Sequence, residues 1–299
     1  MTSQNNVLKG VFLVALGATT YGMLATFVKM AYSEGYTTAE VTTSQFVLGI
    51  IGILIINTFQ KIKNKGTAVK ASSKNIFNLM LAGTSLGMTS LFYYLAIKYF
   101  LVSSGFVVLM QTVSIGVLLD MFLEKNLPSK QKVAAVFIVL IGTALATNLI
   151  HADFKLDWRG IVWGLLAAAS FTTTMFTANR VATEISSAQR SLYMLLGGAV
   201  VVFSFAFATQ VDAFNLGIFM KWAIVLSLFG TIIPPMLMNA GFPLTGIGLG
   251  SIVSALELPV SVTMAFILLN EKVIFLQWVG IALIILAIII MNVNFKGKK

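Results

Sequence analysis

The sequence predicts an all-α membrane protein in which ten transmembrane helices form two inverted five-helix repeats around a central cavity. Hydrophobic residues make up 58% of the 299 residues and charged residues only 10%, whereas a soluble domain has roughly 25% charged residues. Apolar segments of about 20 residues, the length that crosses a bilayer as a helix, recur along the chain. The two halves of the chain also resemble each other in sequence.

Ten apolar segments are separated by short polar connectors, and no polar stretch is long enough to fold as a soluble domain. The predicted spans are approximately Val7 to Ala31, Val41 to Phe59, Ile76 to Ile97, Leu101 to Phe122, Val133 to Ile150, Gly160 to Ala178, Leu192 to Thr209, Trp222 to Ala240, Ile247 to Leu269 and Val273 to Val293. Only Lys98, Tyr99, Ser103 and Ser104 separate the third span from the fourth.

Basic residues predict the orientation of the chain. With a cytoplasmic N-terminus, 14 of the 20 lysines and arginines fall on the cytoplasmic side, Arg180 and Arg190 among them in a connector. The positive-inside rule therefore predicts that both termini are cytoplasmic. The net charge of +10 indicates a lipid bilayer rather than a nucleic acid as the partner. The N-terminus is too short and polar for a cleaved signal, so the first span should stay in the membrane.

The sequence offers few groups for metal or redox chemistry. It contains no cysteine, so it has no disulfide and no thiolate metal site. Its single histidine, His151, lies in a polar connector and is interpreted as a solvated loop residue. We therefore predict no metal and no cofactor.

The internal similarity predicts the repeat. Ser104 to Lys125 lies over Ser251 to Lys272 without a gap, at a constant offset of 147 residues, and Leu8 to Gly22 parallels Trp158 to Thr172. We assign residues 1–150 to the first repeat and residues 151–299 to the second. Because each repeat has five spans, an odd number, the two must enter the membrane in opposite senses. This architecture is typical of transporters that alternate access around a midplane site.

Glu257 is the main candidate for function because it lies near the middle of an otherwise apolar span. An ionised carboxylate at that depth costs on the order of 3 kcal/mol, so the side chain should face protein or water. Gly250, Ser254, Glu257 and Ser261 fall on one helical stripe. A structural hydrogen bond to a neighbouring helix is the alternative interpretation.

Polar and aromatic residues at bilayer depth predict an amphipathic cavity with aromatic walls. The substrate-binding candidates are Tyr21, Tyr94, Gln111, Trp163, Ser170, Phe171, Thr174, Asn239, Ser254 and Glu257. Close helix packing is the alternative for the serines and threonines, and an interfacial aromatic belt is the alternative for Tyr93 and Tyr94.

Small residues and prolines have structural interpretations of their own. Packing explains the pair Gly83 and Gly87, and a tight turn at the start of a helix explains the glycines from Gly246 to Gly250. Pro234, Pro235 and Pro259 interrupt helical hydrogen bonding and are predicted hinges. The missing N–H of Pro259 frees the carbonyl of Ala255, which needs another partner. Asp120 is expected to be solvated or paired with Lys125.

The absence of basic residues from the centres of the predicted spans limits the classes of substrate. No lysine or arginine falls in the central part of a predicted span, which disfavours phosphorylated and dicarboxylate substrates. Neutral, zwitterionic or cationic solutes with an apolar or aromatic body fit better. A membrane enzyme is disfavoured because no catalytic cluster occurs at bilayer depth.

The second half resembles the EamA family of the drug/metabolite transporter superfamily. The similarity rests on the segment LELPVSVTMAFILLNEKVIFLQWVGIALIILAIII, in which the matching residues are Glu257, Pro259, Val260, Glu271, Gln277 and Gly280. The usual Glu-Pro pair is opened here by Leu258. The resemblance implies ten helices around a cavity lined mainly by the first, third, fourth, sixth, eighth and ninth spans.

The same resemblance implies a secondary active transporter that acts as an exporter in a bacterial inner (plasma) membrane. Together with the residues that narrow the substrate, it leads us to expect export of small amphipathic metabolites such as amino acids, or of cationic and aromatic drugs. A buried carboxyl group such as Glu257 makes protons the candidate coupling ion. We expect a monomer or a weak dimer. The alternatives are a uniporter, facilitator or channel-like permease without ion coupling, and a non-transporting membrane scaffold.

Overall fold

A computed structural model describes residues 2–63, 71–96, 99, 108–147 and 157–292. All regular secondary structure in these residues is helical. The helices are α1 (Thr2–Ser33), α2 (Thr38–Lys63), α3 (Ser73–Ala96), α4 (Gln111–Glu124), α5 (Lys130–Ala146), α6 (Trp158–Arg180), α7 (Ser187–Thr209), α8 (Gly217–Lys221), α9 (Ala223–Ser227), α10 (Ile233–Ser254), α11 (Glu257–Leu268) and α12 (Phe275–Asn292). A π-helical turn, Leu228–Ile232, joins α9 to α10.

Six helical stretches of the described residues are long and apolar enough to cross a membrane. They are Asn5–Ser33, Thr38–Lys63, Ser73–Ala96, Trp158–Arg180, Ser187–Thr209 and Ala223–Leu268. The chain is therefore a multi-pass helical membrane protein, while the count of ten spans stays a prediction. Lys98, Ser103, Ser104 and His151, on which the sequence analysis commented, lie outside the described residues.

The stretch Ala223–Leu268 has 46 residues, which as a straight helix would be about 69 Å long, or twice the hydrocarbon core. It turns at Gly246, whose φ of 75° and ψ of 171° lie outside the helical region and favour glycine. The chain folds back sharply there, because Gly250 lies directly against the ring of Phe242. The tight turn predicted for this glycine-rich run occurs at Gly246.

The two halves pack in a symmetric pattern. By helix order, α6 corresponds to α1, α7 to α2 and α12 to α5. Helix α1 packs along α10 and α11, and its counterpart α6 packs along α3 and α4. The corresponding helices also pair with each other, α2 with α7 and α5 with α12. Two copies of one five-helix unit related by a two-fold axis would produce these reciprocal pairs.

Glycines allow the closest helix approaches. Gly83 and Gly87 of α3 lie against the backbone of Met194 and Gly198 of α7, and a Cβ atom at either glycine would collide with that backbone. Gly142 of α5 and Gly280 of α12 meet in the same way. The packing interpretation of the Gly83 and Gly87 pair is thus confirmed.

The three predicted hinge prolines lie just after irregular backbone. Pro234 and Pro235 follow the π-helical turn in the first turn of α10, and Pro259 lies in the first turn of α11, where a missing N–H leaves no helical bond unmade. The carbonyl of Ala255 accepts a hydrogen bond from the Leu258 amide at 3.2 Å, so it has the partner that the sequence required. The hinge role stays a prediction, and the bends themselves lie in the preceding turns.

Candidate functional site

A central cavity, here called the Glu257 cavity, lies between α1, α3, α6, α11 and the turn before α4. It contains about 560 Å³ of space not filled by atoms, including the open space at its mouth. Its walls are Tyr21, Leu24, Ala25, Leu86, Thr89, Ser90, Tyr93, Tyr94, Leu109, Phe171 and Glu257. Among these described lining residues, Glu257 is the one acid, and none is a lysine or an arginine.

Glu257 is the first residue of α11 and is only 8% exposed. Its Oε2 atom is buried and has no hydrogen-bond partner among the described residues. Helix α1 passes so close that a Cβ atom at Gly22 would collide with the Glu257 carbonyl oxygen and with Val260. The glycine at position 22 therefore allows α1 to pack directly against the helix that carries the acid. Because Oε2 has no partner among the described residues, it can accept a hydrogen bond from a bound group.

Aromatic rings form the walls on either side of this carboxyl group. Tyr21 and Phe171 meet edge to face with ring centroids 6.1 Å apart, and the rings of Tyr93 and Tyr94 lie 6.1 Å apart. The Tyr94 hydroxyl donates a hydrogen bond to Oε1 of Gln45 at 3.3 Å. A cavity with one acid and several ring faces favours a cation with an apolar body.

A second cavity, here called the Asn239 cavity, shares Tyr21, Leu86 and Phe171 with the first. Its other walls are Thr174, Met175, Ala178, Met194, Pro235, Met238, Asn239 and Phe242. Asn239 donates from Nδ2 to the Ser191 hydroxyl at 2.8 Å, while its buried Oδ1 atom has no partner among the described residues. The Thr174 hydroxyl shares a hydrogen bond with Ser85 at 2.8 Å.

The structure brings six of the ten candidate residues to these two cavities. Tyr21, Tyr94, Phe171 and Glu257 line the first, and Thr174 and Asn239 line the second. The substrate contacts themselves stay predictions.

The other four candidates are outside both linings. Trp163 stacks on Phe92 with ring centroids 5.5 Å apart, and Ser254 donates to the Gly250 carbonyl at 2.9 Å. The Ser170 carbonyl accepts from Thr174 at 3.2 Å, and Gln111 is the first residue of α4. The Ser254 contact agrees with the packing alternative for that serine.

Arg190 was assigned to a connector by the sequence analysis, but it lies in the first turn of α7 and is only 1% exposed. Its guanidinium donates to the carbonyls of Val181 at 3.1 Å and Asn239 at 2.6 Å, and to those of Thr177 and Ala178 at the end of α6. The α6 carbonyls carry the partial negative charge of a helix C-terminus, which stabilises the cation.

One signal in the sequence could have found this contact. Pro243 has no N–H, so the carbonyl four residues earlier, that of Asn239, must find another donor. Arg190 is that donor.

Asp120 and Gln45 were also interpreted incompletely. Asp120 is buried and pairs with Lys132 at 2.6 Å, rather than being solvated or paired with Lys125. Gln45 of α2, which drew no comment, contacts the cavity residue Tyr94 and lies against Gly230 of the π-helical turn. The Asp120 contact joins two consecutive helices and the Gln45 contacts join residues that are distant in sequence, and helical spacing within one segment shows neither.

The two-repeat helix packing and the central cavity define a class of protein: multi-pass membrane transporters built from internal repeats. The model of the EamA-like transporter family matches residues 8–148 and again residues 158–293. The chain belongs to the EamA-like transporter family, whose members are transporters rather than enzymes. The resemblance seen in the sequence is thus confirmed.

A solved crystal structure whose title states no function superposes with a TM-score of 0.73 and 15% sequence identity, covering 96% of this chain and 97% of the other. At that identity, the likeness supports the fold alone. A search of the curated proteins gave no match.

Proposed function

We propose that the protein is a secondary active transporter that exports small amphipathic solutes bearing a positively charged or hydrogen-bond-donating group. Amino acids and cationic aromatic compounds are the chemical classes in view. The observation that carries the proposal is that Glu257 lines a cavity with aromatic walls and that its buried Oε2 atom has no hydrogen-bond partner among the described residues.

Charge supports this choice of solute. Among the described residues that line it, the Glu257 cavity presents one acid and no fixed cation. An anionic solute would therefore add a second negative charge without a partner there. An ammonium group would instead pair with Oε2, and ring faces such as those of Tyr21 and Phe171 would contribute about 0.5–2 kcal/mol by cation–π attraction.

Protons are the proposed coupling ion. When no solute is bound, burial disfavours the ionised form of a carboxyl group, whereas a bound cation pairs with that form. Solute binding and proton release at Glu257 would therefore be linked. The same carboxyl would then exchange a proton for a cationic solute during each transport cycle.

The proposal includes the finer architecture. Ten spans form two inverted repeats, residues 1–150 and 151–299, in an inner membrane with both termini in the cytoplasm. Helix α10 then contributes to two spans that meet at Gly246. The transporter acts as a monomer or a weak dimer.

Uptake into proteoliposomes tests the proposal. Labelled amino acids and a cationic dye are offered with and without a pH gradient to the wild type, to Glu257→Gln and to Asp212→Asn, which changes an exposed acid in a loop. We expect saturable uptake that responds to the gradient in the wild type and in Asp212→Asn, and its loss in Glu257→Gln.

Two results would contradict parts of this account. Saturable uptake that is unchanged in Glu257→Gln across pH would remove Glu257 from the mechanism. Uptake that responds to no gradient would identify a facilitator without ion coupling.

A further inference from the structure

Tyr21 and Phe171 occupy equivalent positions of the two repeats. The alignment of Leu8 to Gly22 with Trp158 to Thr172 has an offset of 150 residues, which places Tyr21 over Phe171. In the structure their rings meet edge to face, with centroids 6.1 Å apart. Equivalent positions of two repeats can touch each other only near the two-fold axis that relates the repeats. The pair therefore marks that axis, and both residues line both cavities.

The two cavities are lined by equivalent positions. On the first helix of each repeat, the same offset of 150 relates Tyr21, Leu24 and Ala25 of the Glu257 cavity to Phe171, Thr174 and Met175 of the Asn239 cavity. On the third, an offset of 149 relates Leu86, Thr89, Ser90 and Tyr93 to Pro235, Met238, Asn239 and Phe242. Seven pairs of lining positions thus agree with one two-fold relation.

We propose that the Asn239 cavity is a second solute-binding chamber, the symmetry counterpart of the Glu257 cavity, with the Tyr21–Phe171 pair as the partition between them. When the repeats exchange conformations, the Glu257 cavity closes and the Asn239 cavity opens toward the opposite face of the membrane. This inference rests on the proposed transport function.

The side chains define the ligand class of the second chamber. Three methionines, Met175, Met194 and Met238, and the ring of Phe242 suit the apolar body of an amphipathic solute. The Oδ1 atom of Asn239 accepts one hydrogen bond from its ammonium or amine group. The described residues of this lining include no acid, so the chamber stabilises a positive charge less well than Glu257 does. It therefore binds the same solute more weakly and is suited to its release.

Asn239 is held in place for this role. Its Nδ2 atom donates to Ser191, and its backbone carbonyl accepts from Arg190. The amide is consequently fixed on both sides, so its Oδ1 atom keeps a constant position within a residue that lines the chamber.

Single-cysteine labelling tests the proposal, because the chain has no cysteine of its own. Leu24→Cys and Thr174→Cys place thiols at equivalent positions in the two cavities. Ala18→Cys and Ala168→Cys are the controls, since both alanines are fully buried, equivalent under the same offset and outside both linings. A thiosulfonate reagent carrying a trimethylammonium group is added to one face of sealed, oriented vesicles.

We expect Leu24→Cys to react from one face and Thr174→Cys from the opposite face. A minor conformation has a population of about 10% or less, so each thiol should react about tenfold or more slowly from its disfavoured face. The control thiols should react slowly from both faces. Elution of each variant as a single species in detergent verifies folding. If Leu24→Cys or Thr174→Cys fails this check, Ala25→Cys and Met175→Cys replace them as equivalent positions in the two cavities.

The proposal is overturned if both thiols react from the same face, or if Thr174→Cys reacts no faster than Ala168→Cys. Labelling requires no transported solute. A wrong choice of solute would therefore abolish uptake and leave the labelling pattern intact, whereas a wrong second chamber would change the labelling and leave uptake intact.

Discussion

Replacing Arg190 by methionine removes a buried guanidinium that donates to four backbone carbonyls. The Thr177 carbonyl keeps a second donor, the amide of Val181 at 2.9 Å. The carbonyls of Ala178 and Val181 lie at the end of α6 and have no helical partner, and that of Asn239 faces Pro243, which has no N–H. Three carbonyls are thus left without a donor.

Each buried carbonyl without a donor costs about 1 kcal/mol or more, so Arg190→Met should lower the free energy of unfolding by about 3 kcal/mol. Arg190→Lys should lie between the wild type and the methionine variant, because an ammonium group has three donors and cannot reproduce the planar fork of arginine. Unfolding in mixed detergent micelles, followed by the helical circular dichroism signal, measures both variants.

Arg180→Met is the matched control, since Arg180 is the last residue of α6 and is exposed. Substitutions at such positions usually change stability by about 0.5 kcal/mol or less. If Arg190→Met is as stable as Arg180→Met within that margin, the carbonyls find other partners and the reasoning is refuted.

Three further predictions follow from contacts of the same kind. Pro243→Ala restores an N–H that can donate to the Asn239 carbonyl, so adding it to Arg190→Met should return about 1 kcal/mol of stability; strictly additive single and double variants would contradict this pairing. Gly22→Ala drives a methyl group into the backbone of Glu257 and should abolish solute uptake. Gly17→Ala should retain it, because its methyl group would meet the flexible side chain of Met238 at 3.0 Å and would lie at ordinary contact distances of 3.4 Å from Leu237 and from the Pro234 carbonyl. Lys221 and Trp222 donate to the Glu34 carboxylate at 2.7 and 3.0 Å and hold the pKa of Glu34 below its ordinary value of 4.5. Because the folded-state pKa is lowered, the ionised Glu34 stabilises the fold above the unfolded pKa, and this contribution is lost as the pH falls through the folded-state pKa. The melting temperatures of the wild type and Glu34→Gln should therefore differ at pH 7 and converge below pH 4.5.

The helical membrane fold and the repeat could be predicted because both follow from sequence patterns that require no knowledge of contacts between helices. Apolar length identified the helices, and the alignment of Leu8 to Gly22 with Trp158 to Thr172 identified the repeat without any contact being known. Glu257 could equally be nominated from the sequence, since an acid in the middle of an apolar span is a candidate for function. Gly246 ends a helix through its own backbone conformation, which is also a local property.

The contacts of Arg190 and Gln45 were not predicted in this way because they are made between different helices. Arg190 comes directly after a polar connector and therefore counts as a loop cation in any scheme based on hydropathy, although its guanidinium is buried against α6 and α10. Asp120 was misplaced for the same reason, since its partner Lys132 belongs to the next helix. Ser254 and Trp163 share the right helices with the cavity residues, but their side chains bond or stack elsewhere. Which face of a membrane helix meets the cavity depends on the neighbouring helices.

The carbonyl of Asn239 connects the stability of the protein with its proposed second chamber. Pro243 frees this carbonyl and Arg190 satisfies it, while the same residue lines the Asn239 cavity and its buried Oδ1 atom has no partner among the described residues. The equivalent residue of the first repeat is Ser90. Four residues after it comes Tyr94 instead of a proline, and the Tyr94 amide can donate to the Ser90 carbonyl within the helix. The buried arginine is therefore required in one repeat only. The two proposed chambers therefore differ in how their backbone carbonyls are satisfied as well as in the charge of their described lining residues.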